Sequence, residues 1–115
     1  MGQSTRMRRV NATLREVLAE TVARELSDPR LGFITFTGVE ASTDLKVATV
    51  YVTVLEQSRR DGSLAALEAA KGILQARVAT AVRSRNTPQL RFVYDEQSEK
   101  AARLTALIDK VASER

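Results

Sequence analysis

Residues 69–94 read AAKGILQARVATAVRSRNTPQLRFVY, and this stretch decides the fold of the chain. Its first half has apolar residues at helical spacing around Gly72, and its second half is a short β-rich run that follows Pro88. The stretch contains no carboxylate, and its cationic side chains are those of Lys71, Arg77, Arg83, Arg85 and Arg91. The pattern predicts a bent helix and then a strand, with a positive surface that must find its anions elsewhere.

The bent helix is predicted to begin after Ser63, which is a favourable N-cap residue, and to end at 86–88. Gly72 costs roughly 1 kcal/mol relative to Ala inside a helix, so it indicates a bend or a close backbone approach. The strand that follows is predicted over 90–94.

The rest of the chain surrounds this segment with regular elements. A helix is predicted over 7–27, because apolar residues recur at helical spacing until Pro29 restricts the residue before it. Strands are predicted over 31–41 and 46–55, and the short polar connection between them favours an antiparallel hairpin. A last helix is predicted to be capped by Ser98.

This order of elements predicts an α+β fold, with helices covering one face of a single three-stranded mixed sheet. The length of 115 residues and the apolar content of 43% favour one domain with one core. We assign residues 1–6 to a flexible basic arm, 7–111 to the folded domain and 112–115 to a frayed tail.

The net charge of +4 is unevenly placed along the sequence. Residues 59–91 hold seven bases and two acids, whereas the remainder holds eleven bases and twelve acids. Such a concentration of positive charge is typical of a protein that binds a polyanion, and the alternative is a basic surface without a partner.

The sequence lacks residue types that many catalytic and metal-binding sites require. The chain has no cysteine and no histidine, which excludes disulfides, thiolate metal sites and the usual zinc ligand and general base. No nucleophile-elbow or phosphate-cradling glycine motif occurs, so we expect no catalysis, no cofactor and no metal. With no apolar span or signal core, the expected compartment is the cytoplasm, without a membrane partner.

The candidate RNA-binding residues are mainly Lys71, Arg77, Arg83, Arg85 and Arg91, with Arg8 and Arg9 as a secondary set. At 100° per residue the helical members do not form one stripe, so the pattern is not sharp. Aromatic residues are few and most are needed in the core. We therefore expect binding led by shape and phosphates rather than by a base code.

Three motifs in this order carry a family resemblance: Asp28-Pro29-Arg30, the bend at Ala70-Lys71-Gly72, and Pro88-x-Leu90-x-Phe92. Together they resemble the ribosome-binding factor A family, over nearly the whole chain. The resemblance implies a type II KH-like fold in which the usual Gly-x-x-Gly loop is shortened to a kink at residues 70–72.

The resemblance also implies a function. It implies binding to the 16S rRNA of an immature 30S subunit near the 5′-end helix, late in assembly, with roles in 5′-end maturation and growth at low temperature. It further implies transient contact with assembly GTPases, and we expect a monomer. Two other hypotheses remain open from the residues alone: a protein–protein adaptor whose basic face meets an acidic protein, and a small nuclease.

Overall fold

The computed structural model describes residues 4–83 and 85–114. Its elements follow the predicted order, which confirms the α+β class and the succession of helices and strands. A single 3-10 turn, Gln57–Arg59, precedes α2. The elements are α1 (Thr5–Glu25), β1 (Ile34–Ala41), β2 (Val47–Val54), α2 (Arg60–Ala69), α3 (Lys71–Ala81), β3 (Gln89–Tyr94) and α4 (Glu96–Ser113).

The sheet has the strand order β1-β2-β3. β1 pairs with β2 in antiparallel register, as the hairpin prediction required, and β2 pairs with β3 in parallel, so the sheet is mixed. An irregularity between Phe36 and Gly38 shifts the register of β1. Alternate residues of β2 are buried throughout its length, because successive side chains of a strand point to opposite faces of the sheet.

The core lies between one face of this sheet and helices α1, α2 and α3. α1 packs on β1 and α3, α2 packs on β2 and β3, and α3 packs on β3. Apolar side chains from all six elements are fully or almost fully buried there; they include Leu14, Leu18, Phe36, Val50, Val52, Leu67, Leu74, Val78 and Leu90. The prediction that helices cover one face of the sheet is therefore confirmed.

The bend between α2 and α3 is confirmed, but its cause differs from the prediction. The break falls at Ala70, whose φ of −89° and ψ of 4° interrupt the two helices. Gly72 lies inside α3, and a Cβ added there would meet nothing within 4 Å. The bend therefore does not require a glycine at this position.

Two predicted helix caps are wrong. α2 already begins at Arg60, and Ser63 is a fully buried residue inside it, where its Oγ accepts a hydrogen bond from the Gly32 amide at 2.9 Å. The N-cap of α4 is Asp95, which accepts from the amide of Ser98 at 3.0 Å. In both cases the serine that was predicted as the N-cap lies inside the helix, a few positions after the actual N-cap residue.

The helix ends also move the predicted domain boundaries. α1 begins at Thr5, with Ser4 as its N-cap, so Thr5 and Arg6 are helical rather than part of an arm. α4 continues through Ser113 into what was expected to be a frayed tail. Residues 1–3, Ser84 and Arg115 lie outside the described residues.

Only the start of α4 is bound to the domain. The Tyr94 hydroxyl donates to Glu99, and the Arg60 guanidinium pairs with Glu96 at 2.9 Å. Residues 101–114 are all exposed. None of the helices in the described ranges is long and apolar enough to cross a bilayer.

Candidate nucleic-acid interface

The five main candidate cations do not form one surface. Leu90 and Phe92 point from β3 into the core, so Arg91 between them lies on the opposite, open face of the sheet. Lys71 and Arg77 belong to α3, which covers the other face. A ligand on the α3 side therefore cannot reach Arg91 without passing the edge of the sheet.

Arg77 is neutralised by an acid from another element. Its Nε lies 2.7 Å from Oε2 of Glu25, and its Nη2 lies 2.6 Å from Oε1 of the same carboxylate. The hydrogen bond from Arg77 is the main reason that the pKa of Glu25 is lowered, and the same pair raises the pKa of Arg77. The segment itself contains no acid, but the expectation that its cations are left for an external anion is wrong at Arg77.

Lys71 is also paired within the protein. Its Nζ lies 3.2 Å from the Glu68 carboxylate, one helical turn earlier, and 5.9 Å from the centroid of the Phe92 ring. Glu68 lies directly before residues 69–94, so a count of charges within that stretch does not include this partner. Lys71 offers a more neutral surface than the sequence indicated.

Arg83 and Arg85 keep the predicted character. Both are exposed in the connection from α3 to β3. Within the part of the chain that the structure describes, no carboxylate lies at ion-pair distance from either residue. Their charges are therefore available to an external anion.

A groove between α1 and α3 brings Arg83 together with two arginines from the N-terminus. This α1–α3 groove has a volume of about 220 Å³. It is lined by Arg6, Arg9, Val10, Thr13, Leu45, Ala81, Val82 and Arg83. Neither Arg6 nor Arg9 has an ion-pair partner among residues 4–83 and 85–114. Arg8 is exposed on α1, outside the lining of the groove.

One wall of the groove is a turn with an unusual backbone. Leu45 has a φ of 58°, a left-handed conformation that is rare for a leucine, and it is 5% exposed. The turn is held by Ser42, whose Oγ donates to Asp44 at 2.7 Å and accepts from the amide of Val47 at 3.1 Å. These bonds hold the turn that places the apolar side chain of Leu45 in the wall of the groove.

The connection that carries Arg83 and Arg85 is anchored by one side chain of α3. The Gln75 amide nitrogen donates to the Pro88 carbonyl at 2.9 Å, and its amide oxygen accepts from the Leu90 amide at 2.8 Å. Gln75 thereby fixes the point at which the chain enters β3. The positions of the two arginines depend on this anchor at the far end of their loop.

The sequence contained a signal for the N-terminal half of this groove. The Oγ of Ser4 accepts the amide of Met7 at 3.2 Å, which is an ordinary N-cap contact. Starting the helix at this cap places Arg6 and Arg9 beside Val10 at helical spacing, on the side that meets α3. The candidate set from the sequence includes Arg9 but not Arg6, which α1 brings to the same groove.

The carboxylates before and within α4 have structural partners. Asp95 accepts from Ser98 and from the Thr37 hydroxyl at 2.7 Å, and these bonds, led by the Ser98 amide, lower its pKa. Glu96 pairs with Arg60, which lowers the pKa of Glu96. In the described ranges, no group of three or more potential ligand residues is arranged to hold a metal ion.

Comparison with known proteins adds independent information. The family model described as "Ribosome-binding factor A" matches residues 6–108. The ribosome-binding factor A of Halorhodospira halophila is 44% identical over 109 residues, which cover 93% of this chain and 86% of the relative.

A crystal structure and a fitted homology model of a relative are similar as well. A crystal structure of ribosome-binding factor A from Thermus thermophilus is 36% identical, with a TM-score of 0.68 over 76% of this chain and 94% of the other. A homology model of the Thermus thermophilus protein, fitted into a cryo-EM map of a 30S complex, is 38% identical. Its TM-score is 0.63, over 76% of this chain and 92% of that one.

Proposed function

The chain belongs to the ribosome-binding factor A family, and on that premise we propose that it binds the small ribosomal subunit with the α1–α3 groove against rRNA phosphates. The placement of a Thermus thermophilus relative in a 30S complex supports the choice of partner. The observation that carries the choice of surface is the convergence of Arg6, Arg9 and Arg83 without an acid partner in the described structure.

Arginine suits this role because its planar guanidinium can make two parallel hydrogen bonds to one phosphate. Arg6 and Arg9 belong to α1, and Arg83 follows the end of α3, which packs on α1, so the three side chains meet at one groove. Arg85 extends the same surface along the connection. Lys71 and Arg77, which already have carboxylate partners, contribute less, and Arg8 and Arg91 supply separate flanking contacts.

The finer function follows the family resemblance. We propose that the protein acts late in 30S assembly near the 5′ end of 16S rRNA, assists maturation of that end, and supports growth at low temperature. It acts in the cytoplasm as a non-catalytic monomer and meets assembly GTPases transiently. Phosphate-led binding fits such transient occupancy, because it weakens steeply as salt rises.

A salt titration with charge-reversal variants tests the surface. The double variant Arg9→Glu and Arg83→Glu should bind immature 30S particles more weakly, and its slope of log affinity against log salt should fall by about 2, one unit for each lost phosphate contact. A matched control, Lys100→Glu with Lys110→Glu, makes the same change in net charge at exposed sites of α4 outside the groove.

The control should leave the slope nearly unchanged, since it lowers the net charge without removing a proposed phosphate contact. Equal losses in the two double variants would contradict the groove as the interface. A slope near zero in the wild-type protein would favour the adaptor hypothesis over RNA binding.

A complementation experiment in cells tests the biological role. In a strain that lacks the protein, rRNA with unprocessed 5′ ends should accumulate, most strongly at low temperature, and the wild-type gene should correct it. The double variant Arg9→Glu and Arg83→Glu, called the groove variant, should fail to correct the processing defect. It should also be absent from the 30S fractions of a sucrose gradient. Full correction by the groove variant would contradict the proposal.

A further inference from the structure

The outer edge of the sheet at β1 has backbone groups that remain available. The Leu55 amide donates to the Phe33 carbonyl at 2.9 Å, and Thr35 is the next bonded position because it pairs with Thr53. Since bonded and non-bonded pairs alternate in an antiparallel ladder, Ile34 and Phe36 direct their N–H and C=O groups away from β2.

Side chains of α1 cover only part of this edge. Arg15 Nε donates to the Phe36 carbonyl at 2.8 Å, and Asn11 Oδ1 accepts from the Ala41 amide at 2.9 Å. Among the described residues, none pairs with the N–H and C=O of Ile34 or with the N–H of Phe36. Three backbone groups along this edge, the N–H and C=O of Ile34 and the N–H of Phe36, are therefore available to pair with another strand.

Apolar grooves lie on both sides of these open groups. On the helix side, a cavity of about 490 Å³ is lined by Ala19, Val22, Ala23, Leu31, Ile34 and Phe36. On the open side, a cavity of about 460 Å³ has a mainly apolar lining that includes Phe33, Leu55 and Ala102, together with the ion pair between Arg103 and Glu99. Phe33 borders both cavities and is 73% exposed, and Leu55 beside it is 77% exposed.

We propose that the β1 edge binds an extended, acidic peptide segment of a partner protein, which adds to the sheet as a fourth strand. Side chains of a strand alternate between its two faces, so those of the added strand would enter the two cavities in turn. Its backbone would pair with Ile34 and Phe36.

The positive charge of Arg15 favours a partner segment that contains an acidic residue. Arg15 lies at the end of the helix-side cavity and uses one N–H for Phe36, which leaves four for a carboxylate on the incoming strand. It has no ion-pair partner among residues 4–83 and 85–114. A second copy fits less well, because two-fold pairing centred on Thr35 would bring two Arg15 side chains together.

The test uses a labelled synthetic peptide of about eight residues, the length of an ordinary strand, with alternating valine and threonine and a central glutamate. Fluorescence anisotropy should show saturable binding to the wild-type protein. Amide hydrogen exchange should slow at Ile34 and Phe36 in the complex but stay unchanged at Thr35, which already bonds to β2. A peptide that is N-methylated on one edge should not bind.

Two variants locate the site. Phe33→Ser should weaken binding at least about tenfold, whereas the matched control Leu107→Ser, on α4 and 58% exposed, should not. Arg15→Gln should weaken binding of the glutamate peptide and leave that of a glutamine peptide unchanged. Should a variant unfold, the exchange pattern of the wild-type complex decides.

Three outcomes would overturn the proposal: no binding of the peptide, unchanged exchange at Ile34 and Phe36 in its presence, or equal effects of the Phe33 and Leu107 substitutions. A fourth is a dimer by light scattering that the peptide converts to monomer, because a second copy would then be the natural occupant of the edge.

Discussion

Removal of the Gln75 side chain should destabilise the protein and loosen the loop that carries Arg83. The Gln75 amide makes two hydrogen bonds, to Pro88 at 2.9 Å and from Leu90 at 2.8 Å, and both are partly buried. Each contributes a net of about 0.5–1.5 kcal/mol, so Gln75→Ala should lower the free energy of unfolding by roughly 1–3 kcal/mol. The loss is weighted to the upper half of this range, because Leu90 is fully buried and its amide is left without a partner.

Urea unfolding followed by circular dichroism measures this loss, with an unchanged m-value as the check that the unfolded state is the same. Gln75→Glu is informative beside it. The introduced carboxylate can accept from Leu90 but cannot donate to Pro88. At neutral pH, Gln75→Glu should therefore lower the free energy of unfolding by at least the contribution of one hydrogen bond. This decrease should shrink at acid pH, where the protonated carboxyl group can donate again.

A helix control is available in the same element. The Thr80 hydroxyl is exposed and donates only to Ala76 at 3.2 Å, so Thr80→Ala should change stability by less than about 0.5 kcal/mol. If Gln75→Ala also falls within that limit, and exchange of the Leu90 amide is unaltered, then Gln75 does not anchor the connection.

Three further predictions concern other contacts. Gly62→Ala should destabilise, because its Cβ would lie 3.2 Å from the Arg30 carbonyl, whereas Gly72→Ala should stabilise by about 0.5–1 kcal/mol in thermal unfolding, since Cβ there meets open space in a helix. Arg30 holds the pKa of Asp28 at about 2 against an ordinary 3.8, mainly through side-chain hydrogen bonds. This stabilisation is complete above the ordinary value and is lost as pH falls through the lower one, so the deficit of Asp28→Asn in urea unfolding should vanish towards acid. Replacing Glu25 and Arg77 together by Gln should leave affinity for 30S particles within about threefold of wild type, because the two charges already cancel; a larger loss in filter binding would show that Arg77 contacts RNA.

Local patterns were sufficient for much of the fold. The alternation in β2 sets which residues face the core, and the spacing of Leu14 and Leu18 sets the buried face of α1. The side of the sheet on which Arg91 lies also follows from the same alternation around Leu90 and Phe92. These features depend on neighbours in the sequence, which is why a single sequence contains them.

The ion pairs and the helix caps required tertiary information. Glu25 meets Arg77 only because α1 packs on α3, and nothing local in either segment indicates that contact. Ser63 is chemically suited to a helix cap, but its hydroxyl serves Gly32 of a distant loop instead. Likewise, α4 has a helical apolar pattern, yet Leu104 and Leu107 are exposed because only the first turns of the helix meet the domain.

An acid-free run of sequence is therefore a poor measure of an available positive surface, and Arg77 shows why. Its pair with Glu25 joins α3 to α1, the two elements that hold Arg83 and Arg9 on opposite sides of the groove. Arg77→Glu would replace this ion pair by two carboxylates that repel each other beside the groove, so reduced 30S binding by that variant would not identify Arg77 as an RNA contact. Neutral replacement of both partners removes the charge without the repulsion. Only that comparison separates a residue that positions the groove from one that contacts the phosphates.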